Sequence, residues 1–253
     1  MQPAGAEANW NYWKGAKYYQ EELRRRALGE LPEMESAKCV AEYVAAVFQP
    51  GDNLLDAGCG AGHYLLSLRK ALRGDFAYTG IDLTAQHIAD ARAVFAGWPK
   101  VSFEVGDVRR LPFPDRAFAL TVCANTLPHI PQAAAALREL ARVTRRYLFV
   151  RTLIGNEILI TKKAYSNQLD DQGEPVEFGY VNIYTAEFIV QASGVPAGKA
   201  AFLPDKYDAA ALGRHYERHR QAAGDHRATR VVDGLQFKGY LLLPWKIARL
   251  DLR

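Results

Sequence analysis

The chain of 253 residues has only three cysteines, Cys39, Cys59 and Cys123, far apart, with no Cys-x-x-Cys pair and no Cys/His cluster. A disulfide framework and a structural zinc site are therefore not expected, and a reducing, cytoplasmic interior is the default compartment. No run of eighteen or more apolar residues is present, so no transmembrane helix is expected. The segment Met1–Trp10 lacks the apolar core of a signal peptide, and Glu7, Glu21 and Glu22 stand where a mitochondrial presequence avoids acids. There is no internal repeat and no low-complexity tract. The excess of one charge sign over the other is also small, with 32 basic against 28 acidic residues. A net +4 spread over this length does not call for a nucleic-acid partner, which needs a clustered patch. Two local clusters exist, Arg24–Arg26 and the Arg214–Arg230 run, and the second reads as a solvated helix face.

What is present is a globular composition, 49% hydrophobic and 24% charged. The middle of the chain alternates short apolar runs with helical patterns, the mark of βαβ units and a parallel sheet. An amphipathic helix is expected over Glu35–Phe48, where Val40, Tyr43, Val44, Val47 and Phe48 form one stripe. Strands are expected at Asn53–Ala57, Phe76–Ile81, Val101–Val105, Phe118–Cys123 and Tyr147–Thr152. Helices are expected after the glycine turn, over Thr84–Phe95, over Pro131–Val143 and over Thr185–Ala192. For the last strands two readings compete. Lys199–Leu203 could be the sixth strand. Alternatively Thr229–Val232 is the sixth, joined by Asp233-Gly234 to a seventh at Gln236–Leu243, and the Asp-Gly turn signal favours this second reading. A helix is expected over Tyr207–Ala222.

The chemistry lies in Leu54-Leu55-Asp56-Ala57-Gly58-Cys59-Gly60-Ala61-Gly62. A buried strand runs into three glycines at alternate positions and a helix begins behind them, at the sheet edge where such folds bind ligands. Asp82 ends the next strand, where a carboxylate can accept hydrogen bonds from ribose hydroxyls. A dinucleotide site calls for G-x-G-x-x-G, whereas the spacing here is G-x-G-x-G with Asp56 two residues ahead of it. That carboxylate would repel a pyrophosphate and attract an amino group or a sulfonium, which favours a cationic, zwitterionic nucleoside.

With these residues the sequence resembles the class I S-adenosylmethionine-dependent methyltransferases, in particular the small-molecule subgroup called type 11. The resemblance covers about Ser36 to Thr152. It rests on Asp56–Gly62, on Gly80-Ile81-Asp82-Leu83, on Gly106-Asp107-Val108 followed by Leu111-Pro112-Phe113, and on Thr121–Asn125. It implies an α/β, doubly wound, Rossmann-like sheet of seven mostly parallel strands, with one antiparallel strand near the C-terminus. Residues 1–34 would form an N-terminal lid, and 35–253 the methyltransferase domain with an inserted cap at about 153–184.

It also implies S-adenosylmethionine as cofactor and a small-molecule methyl acceptor. Gly58, Gly60 and Gly62, with Cys59 between them, would pack against the methionine part and ribose. Asp56 would orient the amino group and Asp82 hold the ribose. Leu83 would flank the adenine, Asp107 and the Val108 backbone would face its amino edge, and Ala124 and Asn125 would sit near the methionine tail. The family often has two histidines after the fourth strand. Leu127-Pro128-His129 keeps one, and His129 is a candidate base or substrate contact. Tyr12, Trp13, Tyr18 and Tyr19 in the lid, and Tyr165, Tyr180 and Tyr184 in the insertion, are candidate walls for the acceptor. The Asn/Asp-Pro-Pro-Tyr motif of base and glutamine methyltransferases is replaced by Ala124-Asn125-Thr126-Leu127. No metal and no membrane are expected. An RNA methyltransferase and a non-catalytic donor-binding scaffold remain as alternatives, and an oxidoreductase is disfavoured by the glycine spacing.

Overall fold

In a computed structural model, residues 17–73, 75–206, 229–232, 235–238 and 241–253 are described. Helices α1 (Lys17–Ala27) and α2 (Glu35–Ala45) precede strand β1 (Asn53–Ala57) and helix α3 (Tyr64–Leu72). Next come β2 (Ala77–Asp82), α4 (Ala85–Val94), β3 (Val101–Val105), β4 (Phe118–Ala124), α5 (Ala133–Val143) and β5 (Thr144–Leu153). A short hairpin β6 (Lys162–Ala164) and β7 (Phe178–Tyr180) leads to α6 (Ala186–Ser193) and β8 (Ala200–Pro204). The chain ends with β9 (Thr229–Val232), β10 (Leu235–Lys238), β11 (Leu241–Leu242) and β12 (Trp245–Asp251).

Seven strands form the main sheet in the order β3-β2-β1-β4-β5-β12-β8. The first five are parallel, and β12 runs antiparallel to both of its neighbours. Successive side chains of a strand point to opposite faces, and the core divides on that period. Leu54, Phe149 and Ile247 pack on one face with α2, α3 and α4, while Leu55, Leu148, Val150 and Ala248 pack on the other with α5 and α6. Both faces are covered, so β1 and β4 read as unbroken buried runs. The α2 stripe is seated as expected, with Val40 and Val44 buried. Thr185 caps α6 by accepting the Phe188 N–H at 3.1 Å, and Gly194 ends it with φ +70°.

The order of the last strands departs from the expectation. In chain order the sixth strand of this sheet is β8, the reading that the turn signal had disfavoured, and it lies at the sheet edge; the antiparallel strand is Trp245–Asp251. The β9–β10 pairing does form, with Val232 opposite Leu235, but it builds a separate three-stranded sheet with β11. Lys246, Arg249 and Asp251 alternate with buried Ile247 and Leu250, so β12 lacks the continuous apolar run of the central strands. The expected helix over 207–222 and most of the basic 214–230 run lie outside the described residues, as do Tyr12 and Trp13.

The insertion after β5 is docked rather than loose. Asn182 is fully buried. Its N–H donates to Pro128 O at 2.9 Å, and its Nδ2 donates to Ile130 O at 3.2 Å. These bonds fasten the chain leaving β7 to the turn that follows β4.

Candidate functional site

The carboxyl ends of β3, β2, β1 and β4 lie side by side in the sheet, and every main-motif residue sits on that edge. The Gly58 and Cys59 N–H groups both donate to Ile81 O, at 2.7 and 3.0 Å, which folds the glycine turn over the end of β2. Gly58 and Gly60 have φ of +81° and +54°, a region that glycine enters without the usual steric cost. A Cβ on Gly58 would overlap Thr126 Oγ1, and one on Gly62 would meet Phe103 at 2.8 Å. The spacing therefore serves packing inside the protein as well as room for a ligand. A Cβ on Gly60 would stand 3.0 Å from Leu23 Cδ1, so α1 lies over the turn.

Asp82 joins these parts. Its Oδ2 accepts the Gly60 N–H at 3.0 Å and its Oδ1 accepts the Thr84 N–H at 2.8 Å, with His87 Nδ1 at 3.4 Å. A carboxylate has about four lone-pair directions, so acceptor capacity remains for hydroxyl groups. The Gly106 N–H donates to Asp82 O at 2.9 Å, which places Asp107 next to this acid. Asp107 is held by Arg109, whose Nε and Nη2 reach Oδ2 at 2.9 and 2.7 Å. Arg109 also bonds Gln132, and motif reasoning missed its clamp on the acid. Val108 is buried and Leu83 half-buried against the α5 side of the core.

Asp56 points inward. It is 2% exposed, and Tyr78 donates its phenol to Oδ2 at 2.7 Å. Burial pushes its carboxyl up to about 7, against the opposing pull of the Tyr78 bond and with the help of nearby Asp82. Cys59 and Cys123 are buried thiols, raised by burial and by the nearby Asp56. His63, directly behind the turn, is lowered to about 3 by burial and by Arg26. Ala124 ends β4, and Asn125 takes a left-handed backbone with φ +62°.

His129 closes the short turn Leu127–His129, and its Nδ1 lies 2.8 Å from Tyr180 O. A carbonyl only accepts, so Nδ1 carries the hydrogen. Tyr180 is thus brought to His129 through its backbone. Tyr184 is placed differently from the acceptor wall expected of it. It is 2% exposed, stacks on Phe188 at 4.8 Å and receives the Asn182 amide at 3.1 Å, a core position. Tyr165 packs on Gly179 within the hairpin. Tyr19 lies on α1 and is 37% exposed; Tyr18 is on the same helix, with its side chain outside the described residues.

Among the described residues, no group of His, Cys, Asp and Glu could hold a metal ion, and no helix is long and apolar enough to cross a membrane.

Residues 54–146 match a family model described as a methyltransferase domain. The chain is 32% identical over 113 residues to ajmaline N-methyltransferase of Rauvolfia serpentina, covering 44% of this chain and 38% of that protein. It is 37% identical over 98 residues to 27-O-demethylrifamycin SV methyltransferase of Amycolatopsis mediterranei (strain S699), covering 38% and 35%. The matched part is thus little more than a third of those relatives' length. The magnesium protoporphyrin IX methyltransferase of Synechocystis PCC 6803, solved with bound SAH, shares the fold with a TM-score of 0.53 at 16% identity, covering 95% of this chain and 96% of that one. Fold, motif geometry and sequence matches agree on a methyltransferase domain over residues 54–146.

Proposed function

We propose that the chain transfers a methyl group from S-adenosylmethionine to an oxygen, nitrogen or carbon of a small molecule. The observation that carries this reading is the row of acids at the carboxyl ends of three adjacent parallel strands, Asp56 on β1, Asp82 on β2 and Asp107 two residues past β3, with the glycine turn folded against the middle one. The residues fit the cofactor. A buried carboxylate raised to about 7 is relieved by a cationic ammonium beside it, and a pyrophosphate would worsen its position. Asp56 would hold the amino group and Asp82 the ribose hydroxyls. Asp107 and Leu83 would border the adenine, and Ala124 and Asn125 the methionine tail.

When bound, S-adenosylmethionine supplies a methyl carbon on a sulfonium that is its own leaving group. The protein's part is to align the acceptor in line with that carbon and to exclude water. His129 would serve as the base where the acceptor must lose a proton. The N-terminal segment before α2 and the docked 153–184 insertion would close the acceptor side. The small-molecule reading draws support from the relatives named above, and RNA as acceptor would show itself as salt-dependent RNA binding.

Asp82→Asn tests the donor site. Alanine would also strip acceptors from the Gly60 and Thr84 N–H groups, whereas asparagine keeps one. Charge-assisted hydrogen bonds are worth about 1.5–3 kcal/mol, so S-adenosylhomocysteine should bind about 10–100-fold more weakly by calorimetry. Unchanged affinity would remove the ribose assignment.

A further inference from the structure

We propose that Arg151 and Asp205 are positioning residues for the methyl-donor site, acting through Asn125. The inference rests on the reading above in taking the β4 end as the donor wall.

Arg151 is the one charged residue in the otherwise uncharged stretch Tyr147–Leu153 of β5, and its side chain is 7% exposed. Its Nε and Nη2 grip Asp205 at 2.9 and 2.5 Å, and the Asp205 side chain is 3% exposed. The Trp245 ring lies 4.1 Å from the guanidinium carbon. The remaining edge of the fork donates to Asn125 Oδ1, while the Arg151 carbonyl accepts the Asn125 N–H at 3.0 Å. Asn125 is therefore held at both backbone and side chain. Its Nδ2 donates to Tyr64 Oη at 3.3 Å, and that hydroxyl donates to Ser36 Oγ at 3.1 Å. Tyr64 is the first residue of the helix behind the glycine turn.

A buried ion pair is weak evidence for stability, because desolvation offsets its attraction. Its geometry here points to another task. Asn125 has left-handed backbone, φ +62°, which a side-chain-bearing residue seldom adopts unless its surroundings hold it there. The next residue, Thr126, fills the space that a Gly58 side chain would need. The contacts thus run from Asp205 through Arg151, Asn125 and Thr126 to the glycine turn. Lysine has no fork and cannot serve Asp205 bidentately and Asn125 together.

The test is a double-mutant cycle on the full chain. Arg151→Lys, Asn125→Gly and the pair are titrated with S-adenosylhomocysteine by calorimetry, and each melting temperature is recorded. Glycine takes the left-handed backbone unaided. Arg151→Lys should weaken binding about tenfold in the wild-type background and less than about threefold in the Asn125→Gly background. Equal losses in the two backgrounds, or wild-type affinity in Arg151→Lys, would overturn the proposal. Arg151→Met/Asp205→Leu removes the pair without leaving a lone buried charge. It should weaken binding while keeping the melting temperature, and a fall in melting temperature with unchanged affinity would also overturn the proposal. If the wild type itself fails to bind S-adenosylhomocysteine, the donor-site reading falls and this inference falls with it.

Discussion

Asp56→Asn should make the ligand-free protein more stable near neutral pH and a much poorer binder of S-adenosylmethionine. The carboxyl is buried, and its value rises from 3.8 to about 7 on folding. Between those two values the folded state binds more protons than the unfolded one, so stability falls as pH rises through this range and stays lower above it. Asparagine carries no charge at any of these pH values and still accepts the Tyr78 phenol. The gain should be about 1–3 kcal/mol at about pH 8, below full conversion of the shift because the amide N–H groups bring their own burial cost. Urea unfolding of wild type and variant at acid and alkaline pH measures it.

His63 sharpens this prediction, because its slope has the opposite sign. Its folded value lies at about 3 against 6.5 unfolded, so it remains neutral in the folded protein while the unfolded chain takes up a proton. Its contribution is present above the unfolded value and is lost as pH falls toward the folded one. From about pH 4 to 6.5 the two groups oppose each other in the wild type. In Asp56→Asn the His63 slope stands uncovered, and stability should rise with pH across that range. Donor affinity should meanwhile fall about 10–100-fold, the worth of the one charge-assisted contact proposed between Asp56 and the ammonium. A residue that costs stability and supports binding is what a site built for a cation requires.

Gly58→Ala should be among the most damaging single-methyl substitutions in the chain. Its φ of +81° costs an alanine about 1–2 kcal/mol. The new methyl would also overlap Thr126 Oγ1 and stand 2.9 Å from its Cγ2, and overpacking of this kind costs about 1–3 kcal/mol. The sum, roughly 2–5 kcal/mol, is a large part of a typical domain's stability. Gly97→Ala is the control. Its φ is +79°, with nothing within 4 Å of the added methyl, so it carries the backbone cost alone. Thr126→Ala combined with Gly58→Ala should recover the steric part and leave the backbone part. Equal unfolding free energies for Gly58→Ala and Gly97→Ala would remove the packing argument.

Much of the domain was legible because the central strands are buried on both faces. Leu54–Ala57 and Phe118–Ala124 advertise themselves as apolar runs, and the glycine turn marks where the first one ends. Legibility failed where burial is one-sided or contacts are distant in sequence. Trp245–Asp251 alternates charged and buried residues at the end of the chain, and the Asp233-Gly234 signal drew the seventh strand elsewhere. Tyr184 was placed by its residue type, which does not say which way a ring points; Asn182 turns it into the core. Arg151 and Asp205 are separated by 54 positions, and a lone charge within an apolar strand was the signal that could have exposed the pair. Arg109 sits two residues from Asp107, yet motif reading assigns the acid and passes over its partner.

The measurement that tests the central claim most directly is calorimetric titration of the whole chain with S-adenosylmethionine, S-adenosylhomocysteine and NAD. The acids on β1 and β2 and the G-x-G-x-G turn predict micromolar binding of the first two and none of the third. Binding of NAD alone would contradict the account and place Asp56 and Asp82 in a dinucleotide site.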